Sequence, residues 1–163
     1  VGTVGGSGGS GGVPTCQAAD LAAHLVGVQG GGGVLEATVA VRNTSGRRCG
    51  LEGYPGVQFV GAGGSVISAT VLPGGSLPFE QVAPSPLILA PGETAEFNIG
   101  LPDAPSPGAQ TCPSAQALRV EPPGSVDALV VSADVQVCGS APVRVSAFFS
   151  TSSAASATAV PGG

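Results

Sequence analysis

The sequence predicts an all-β fold, a single sandwich of two antiparallel sheets closed by two disulfides and flanked by low-complexity tails. Three observations carry this. Short runs rich in Val and Thr alternate apolar and polar residues with period two, the pattern of strands with one buried face. Twenty-eight glycines and fifteen prolines in 163 residues interrupt the chain too often for long helices. Four widely spaced cysteines, Cys16, Cys49, Cys112 and Cys138, form no C-x-x-C pair, and the single His24 cannot complete a zinc set.

Residues 1–13 (VGTVGGSGGSGGV) and 150–163 (STSSAASATAVPGG) carry too little large apolar surface to build a core. Residues 14–149 are therefore the folded domain, long enough for one two-layer sandwich. Asp20 could cap a helix, but Leu21, Ala23 and Leu25 also fit period two, and the strand-rich context favours a strand over Asp20 to Val28. Leu35, Ala37, Val39 and Val41 alternate with Glu36, Thr38, Ala40 and Arg42 in a half-buried strand that ends in the turn Asn43-Thr44-Ser45-Gly46. Val57 to Val60 and Val66 to Leu72 flank Gly61-Ala62-Gly63-Gly64 and read as a hairpin. Leu87 to Leu89 is a short strand ended by Pro91-Gly92, and Ala95, Phe97 and Ile99 mark the next. Leu118 and Val120, then Val131, Ala133, Val135 and Val137, mark two more. Val143, Val145, Ala147 and Phe149 are the expected inner face of the last, giving about eight strands in all.

Cys16 precedes the first of these strands and Cys49 follows the second, so an antiparallel pair brings them to one end. Cys112 and Cys138 bracket two later strands in the same way. The expected pairing is Cys16–Cys49 and Cys112–Cys138. Each bridge closes a loop of about 30 residues, worth about 3–4 kcal/mol on the chain-entropy model. With no Trp, one Tyr and five Phe, the core is made of small side chains, and such staples matter.

Charge narrows the function. Only 9% of residues are charged, Lys is absent, and five Arg face ten carboxylates for a net −5. No basic cluster exists to neutralise phosphates, which argues against nucleic acid and anionic membrane surfaces. A surface so poor in charge repels its neighbours weakly and favours self-association. Two disulfides imply an oxidising compartment, hence a secreted or cell-surface protein. No apolar run reaches the roughly 20 residues of a membrane span. Without a charged-then-apolar leader, the chain is expected to be a mature form.

The run Asn43-Thr44-Ser45-Gly46-Arg47-Arg48-Cys49-Gly50-Leu51-Glu52-Gly53-Tyr54-Pro55-Gly56-Val57 is the most specific feature. It resembles the NTSG-x-x-C-x-L-x-GYPGV signature of the DUF4232 family, exported proteins and lipoproteins of actinobacteria whose function is not established. Leu89-Ala90-Pro91-Gly92, Cys112, Leu118-Arg119-Val120-Glu121-Pro122-Pro123-Gly124 and Cys138 support the resemblance, which spans about Cys16 to Val145. It implies an immunoglobulin-like sandwich and an extracytoplasmic location, and it implies no reaction.

The residues themselves offer no catalytic set, and neither a cofactor nor a metal is expected. A hydrolase triad needs a base and an orienting carboxylate; His24 is alone on a candidate strand, and no G-x-S-x-G surrounds a serine. Glu93 and Glu96 are the closest acidic pair, but three residues apart on a strand they face opposite ways; Glu93 reads as a turn residue and Glu96 as a solvated one. Gly30 to Gly33 and Gly61 to Gly64 lack the P-loop pattern and read as strand connections. Asn43-Thr44-Ser45 matches a glycosylation sequon, for which the turn is sufficient reason. Tyr54-Pro55 could serve recognition, although a tyrosine pinning a strand corner explains it as well.

The expected function is therefore non-enzymatic. An extracellular subunit would assemble with copies of itself, its tail Val1-Gly2-Thr3-Val4 adding to a sheet edge of the next copy. The alternative is a monomeric cell-envelope module that binds a glycan, peptide or protein through Tyr54, Pro55 and the loop Leu101 to Gly108.

Overall fold

A computed structural model describes residues 13–31, 33–74, 86–105 and 107–150. The described residues form twelve strands: β1 (Leu21–Gly31), β2 (Val34–Asn43), β3 (Cys49–Leu51), β4 (Gly56–Val60), β5 (Val66–Ile67), β6 (Val71–Pro73), β7 (Leu87–Leu89), β8 (Thr94–Pro102), β9 (Ser114–Glu121), β10 (Leu129–Gln136), β11 (Val143–Val145) and β12 (Phe149–Ser150). Two short 3₁₀ turns, Ala18–Asp20 and Ala62–Gly64, are the only helical elements among the described residues.

One sheet runs β1-β2-β8-β11-β6, with β12 also paired to β8. The other runs β10-β9-β4-β5, and β3 pairs separately with β7. Among these strands every pairing is antiparallel except β11 with β6, and an isolated parallel bridge joins Thr15 to Gly50. The core lies between the two main sheets. Ala37, Val39, Val41, Phe97, Ile99, Leu101 and Val145 come from one, and Phe59, Leu118, Val120, Val131 and Val135 from the other. Alternation in the sequence becomes alternation in burial: β10 runs from buried Val131 to exposed Ser132 and back, through Val135.

Three departures from the expected pattern have physical causes. Residues 66–72 are not one strand. Val66 and Ile67 pair with Val60 and Phe59 of β4, whereas Val71–Pro73 pairs with β11 in the opposite sheet. The segment crosses from layer to layer because Ser68, Ala69 and Thr70 between them have no apolar face to hold it in either.

The last strand is also broken. Val145 pairs with Ile99, yet Phe149 pairs with Glu96, so three residues of one strand oppose two of the other. This one-residue bulge inverts the side-chain phase. Phe148, not Phe149, is therefore the buried ring, 1% exposed and edge-on to Phe97 with centroids 5.2 Å apart. Inside the bulge Ser146 is buried, its Oγ accepting the Asn98 N–H at 2.8 Å and donating to the Ala147 carbonyl.

Third, β1 extends to Gly31, so Gly30 and Gly31 of the first glycine run belong to a strand rather than to a connection. Gly33, at φ 86°, supplies the left-handed turn into β2. Asp20 caps no α-helix; its carboxylate accepts the Gln17 N–H at the 3₁₀ turn preceding β1.

Candidate functional site

The signature residues 43–57 gather at one end of the sandwich, and their first member is structural. Asn43 ends β2 with no exposed surface. Its Nδ2 donates to the carbonyls of Arg47 (2.8 Å) and Leu89 (2.9 Å), and its Oδ1 accepts from the Ser45 N–H and hydroxyl. Its backbone N–H donates to the Glu93 carbonyl, and its own carbonyl accepts from Gly92. One side chain thus satisfies the turn after β2 and the strand end at β7. With both amide hydrogens used inside the fold, Asn43 is no glycan acceptor in the folded domain.

Both disulfides form as the topology requires. Cys16–Cys49 ties the start of the domain to β3, with both cysteines fully buried. Beside it Cys16 N–H donates to the Gly50 carbonyl. Cys112–Cys138 joins the segments flanking β9 and β10 at the opposite end; Cys138 is buried and Cys112 half-buried.

The other residues singled out are dispersed. His24 is exposed on β1, opposite Ala40. Glu93 is an exposed turn residue whose Oε1 accepts the Ala90 N–H at 2.8 Å. Glu96 is half-buried between Ala40 and Phe149 rather than fully solvated. The described residues bring together no group of His, Cys, Asp or Glu able to hold a metal. No helix among them is long and apolar enough to cross a membrane. Val1, Gly2, Thr3 and Val4 lie outside the described residues.

Tyr54 is half-buried and packs against the core, with Pro55 buried beside it. It lines a hollow of about 310 Å³ with Gly56, Pro73, Glu121 and Val145. This hollow shares Val57, Gln58 and Val71 with a larger one of about 720 Å³. Together they make a trench along the side of the sandwich where residues 66–73 pass between the sheets. Gln58, Ser68, Thr70 and Ser140 supply polar groups to the larger part; Val66, Pro142 and the Cys138 disulfide supply apolar ones. No charged side chain lines that part, and its one aromatic, Phe59, is 1% exposed. The main-chain groups of Ser68 and Ala69 have no partner among the described residues. The larger part offers hydrogen bonds and small apolar contacts without charge, while Glu121 puts a carboxylate at the smaller one. Sequence reasoning located Tyr54 but not the trench, whose walls come from four separated stretches.

A second feature is the edge of β1, unpaired on the side away from β2 and flanked by β10, the edge strand of the other sheet. This eleven-residue strand pairs with β2 alone, contains no Asp, Glu, Lys, Arg or Pro, and exposes Val26 and Val28.

An all-β domain stapled by two disulfides, with a polar hub at its signature turn, defines the class. The chain belongs to the DUF4232 family, a domain of unknown function, whose profile matches residues 16–148. The comparison with curated proteins found no match, and neither did that with solved structures.

Proposed function

We propose that the domain is a non-enzymatic, exported structural module that assembles with copies of itself through strand addition. The observation that supports this most directly is the open edge of β1. Natural sheets blunt such edges with charge, proline or a short length. Here the edge is eleven residues long and its only titratable side chain is His24; its one irregularity is the register shift between Leu25 and Gly27. A strand from a neighbour gains main-chain hydrogen bonds along it and apolar contact with Val26 and Val28. The N-terminal tail, Val1 to Gly12, is the strand assigned to this role. Two disulfides suit an extracytoplasmic setting.

Light scattering and negative-stain microscopy of the purified chain test the reading. Polymers should shorten when residues 1–12 are deleted, and also when Val26→Lys charges the edge. A uniform monomer near 15.5 kDa, or polymers indifferent to both changes, refutes it. A binding module remains the second reading, favoured by the trench beside Tyr54. In that case Tyr54→Ala abolishes ligand capture by a monomer.

A further inference from the structure

The smaller hollow of the trench carries polar side chains that the fold itself does not use. We propose that it is a pocket for a lysine side chain of an extended peptide, with Glu121 taking the ammonium. The inference rests on the reading of the trench as a binding site and is independent of assembly through β1.

Geometry is the first argument. Gly56 and Gln58 of β4 and Glu121 of β9 stand on one side of the hollow, Pro73 of β6 and Val145 of β11 on the other, with Tyr54 beside them. Glu121 pairs with Gly56 across the β4–β9 ladder, and its side chain lies over that glycine. A methyl group at Gly56 would stand 3.0 Å from Glu121 Oε1 and 3.4 Å from Glu121 Cβ. Gly56 has no positive φ, so its missing side chain supplies room for the carboxylate, not a special turn. Tyr54 reaches the other wall, its Oη lying 3.5 Å from where a side chain on Gly74 would begin.

Chemistry is the second. Among the described residues the Glu121 carboxylate, the Tyr54 hydroxyl and the Gln58 amide make no hydrogen bond, and the one ion pair, Arg47–Asp20, lies elsewhere. Arg119, on the same face of β9 and opposite Gln58, forms no ion pair with Glu121 and does not line the hollow. These acceptors match an ammonium, which has three N–H donors and no acceptor. Its hydrocarbon stem packs on Tyr54, Val71 and Pro73. An anion meets the Glu121 carboxylate and no cation, and a hydrocarbon group leaves the acceptors unused. A sugar finds the Tyr54 ring half-buried against the core. The volume of about 310 Å³ is at the lower limit of ligand clefts, room for one long side chain.

Continuity is the third. The larger hollow shares Val57, Gln58 and Val71 and has no charged side chain. Its open main-chain groups at Ser68 and Ala69 suit the backbone that flanks the lysine, with alanine or serine as neighbours. The chain itself has no lysine and a net charge of −5, which draws a basic partner from outside.

The test uses the full chain and three peptides: acetyl-Ser-Ala-Lys-Ala-Ser-amide and its norleucine and glutamate counterparts. Tyr54 is the single tyrosine and Trp is absent, so tyrosine fluorescence reports on the hollow alone. Amide shifts of Gln58 and Gly74 are the second readout. The lysine peptide should bind about fivefold tighter than the norleucine peptide, which keeps the stem and lacks the ammonium, and the glutamate peptide should bind most weakly. Glu121→Gln should remove the preference for lysine. Gly56→Ala keeps every charge but pushes the carboxylate aside, and should cut the preference to about twofold. Equal affinity for the lysine and norleucine peptides, or a preference unchanged in either variant, overturns the lysine assignment and leaves the trench a binding site for another class. Peptides that move neither readout overturn the assignment and the peptide-binding reading together.

Discussion

Replacing Asn43 by aspartate changes one atom of the side chain and none of its shape. In the wild type the amide nitrogen donates to two carbonyls, at 2.8 and 2.9 Å, in a site with no exposure. In Asn43→Asp an oxygen takes its place and faces both acceptors. Two hydrogen bonds are lost. The Leu89 carbonyl, opposite Cys49 in the β3–β7 ladder, loses its side-chain donor inside the fold, at about 1 kcal/mol. The Arg47 carbonyl lies on an exposed residue and recovers water, so its share is smaller. Burying the introduced carboxylate against two carbonyls adds desolvation, offset in part because the Ser45 N–H and hydroxyl still donate to the other oxygen. The expected loss at pH 7 is about 3–5 kcal/mol, read as a lower urea midpoint with the disulfides intact.

The pH dependence has a definite sign. Burial raises the folded-state pKa of the introduced carboxylate above its unfolded value. The folded variant then binds more protons than the unfolded one between those two pKa values, so its deficit shrinks as pH falls through that window. Thr44→Ala is the control, since Thr44 is exposed and its hydroxyl makes one long bond of 3.2 Å to the Asp20 carbonyl; a loss of about 0.5 kcal/mol is expected. A loss below about 1 kcal/mol for Asn43→Asp, within the range of ordinary surface substitutions, would refute the hub.

Three other outcomes are expected. Phe148→Ala should cost about 3–5 kcal/mol in chemical denaturation and Phe149→Ala less than half as much; the reverse order would remove the bulge at Ser146. Titration with a dithiol, followed by alkylation and mass spectrometry, should open Cys112–Cys138 before Cys16–Cys49, because only the former has a partly exposed sulfur-bearing residue. Ser146→Ala should destabilise by about 1–2 kcal/mol by orphaning the Asn98 N–H, with a new cavity too small to add to this.

Period-two alternation was enough to find β9 and β10, because each has one face on the core and one in water, and β2 as well, although Ala40 on its outer face is buried. The disulfide pairing followed from antiparallel connectivity alone. Where the text misled, the reason was local. In Val143 to Phe149 the alternation holds in sequence, and only the bulge opposite Phe97 and Asn98 decides that Phe148 goes inward. In Val66 to Leu72 the apolar residues at the two ends suggested one strand, yet each end pairs in a different sheet. Asn43 looked like a turn residue, which it is, but its bonds to residues 4 and 46 positions away need the folded chain to meet. The trench was invisible for a similar reason. Its floor and walls are ordinary Val, Ser, Thr and Pro residues that become a site only through the crossing of residues 66–73.

The Cys16–Cys49 bridge has a mechanical consequence. A pull on the N-terminal side of the domain reaches Cys16 and passes through sulfur into β3, bypassing β1 and β2 altogether. Those strands sit inside a covalent loop of 33 residues and cannot be peeled from the sheet by tension. The second bridge closes a loop with a sequence separation of 26 that holds all of β9 and β10. Together the loops withhold about 200 Å of contour length from a stretched chain. A tethered or polymerised copy under load would therefore yield by short extensions, with β1, the edge assigned to assembly, kept in its folded pairing with β2 until a disulfide breaks or the force finds another path.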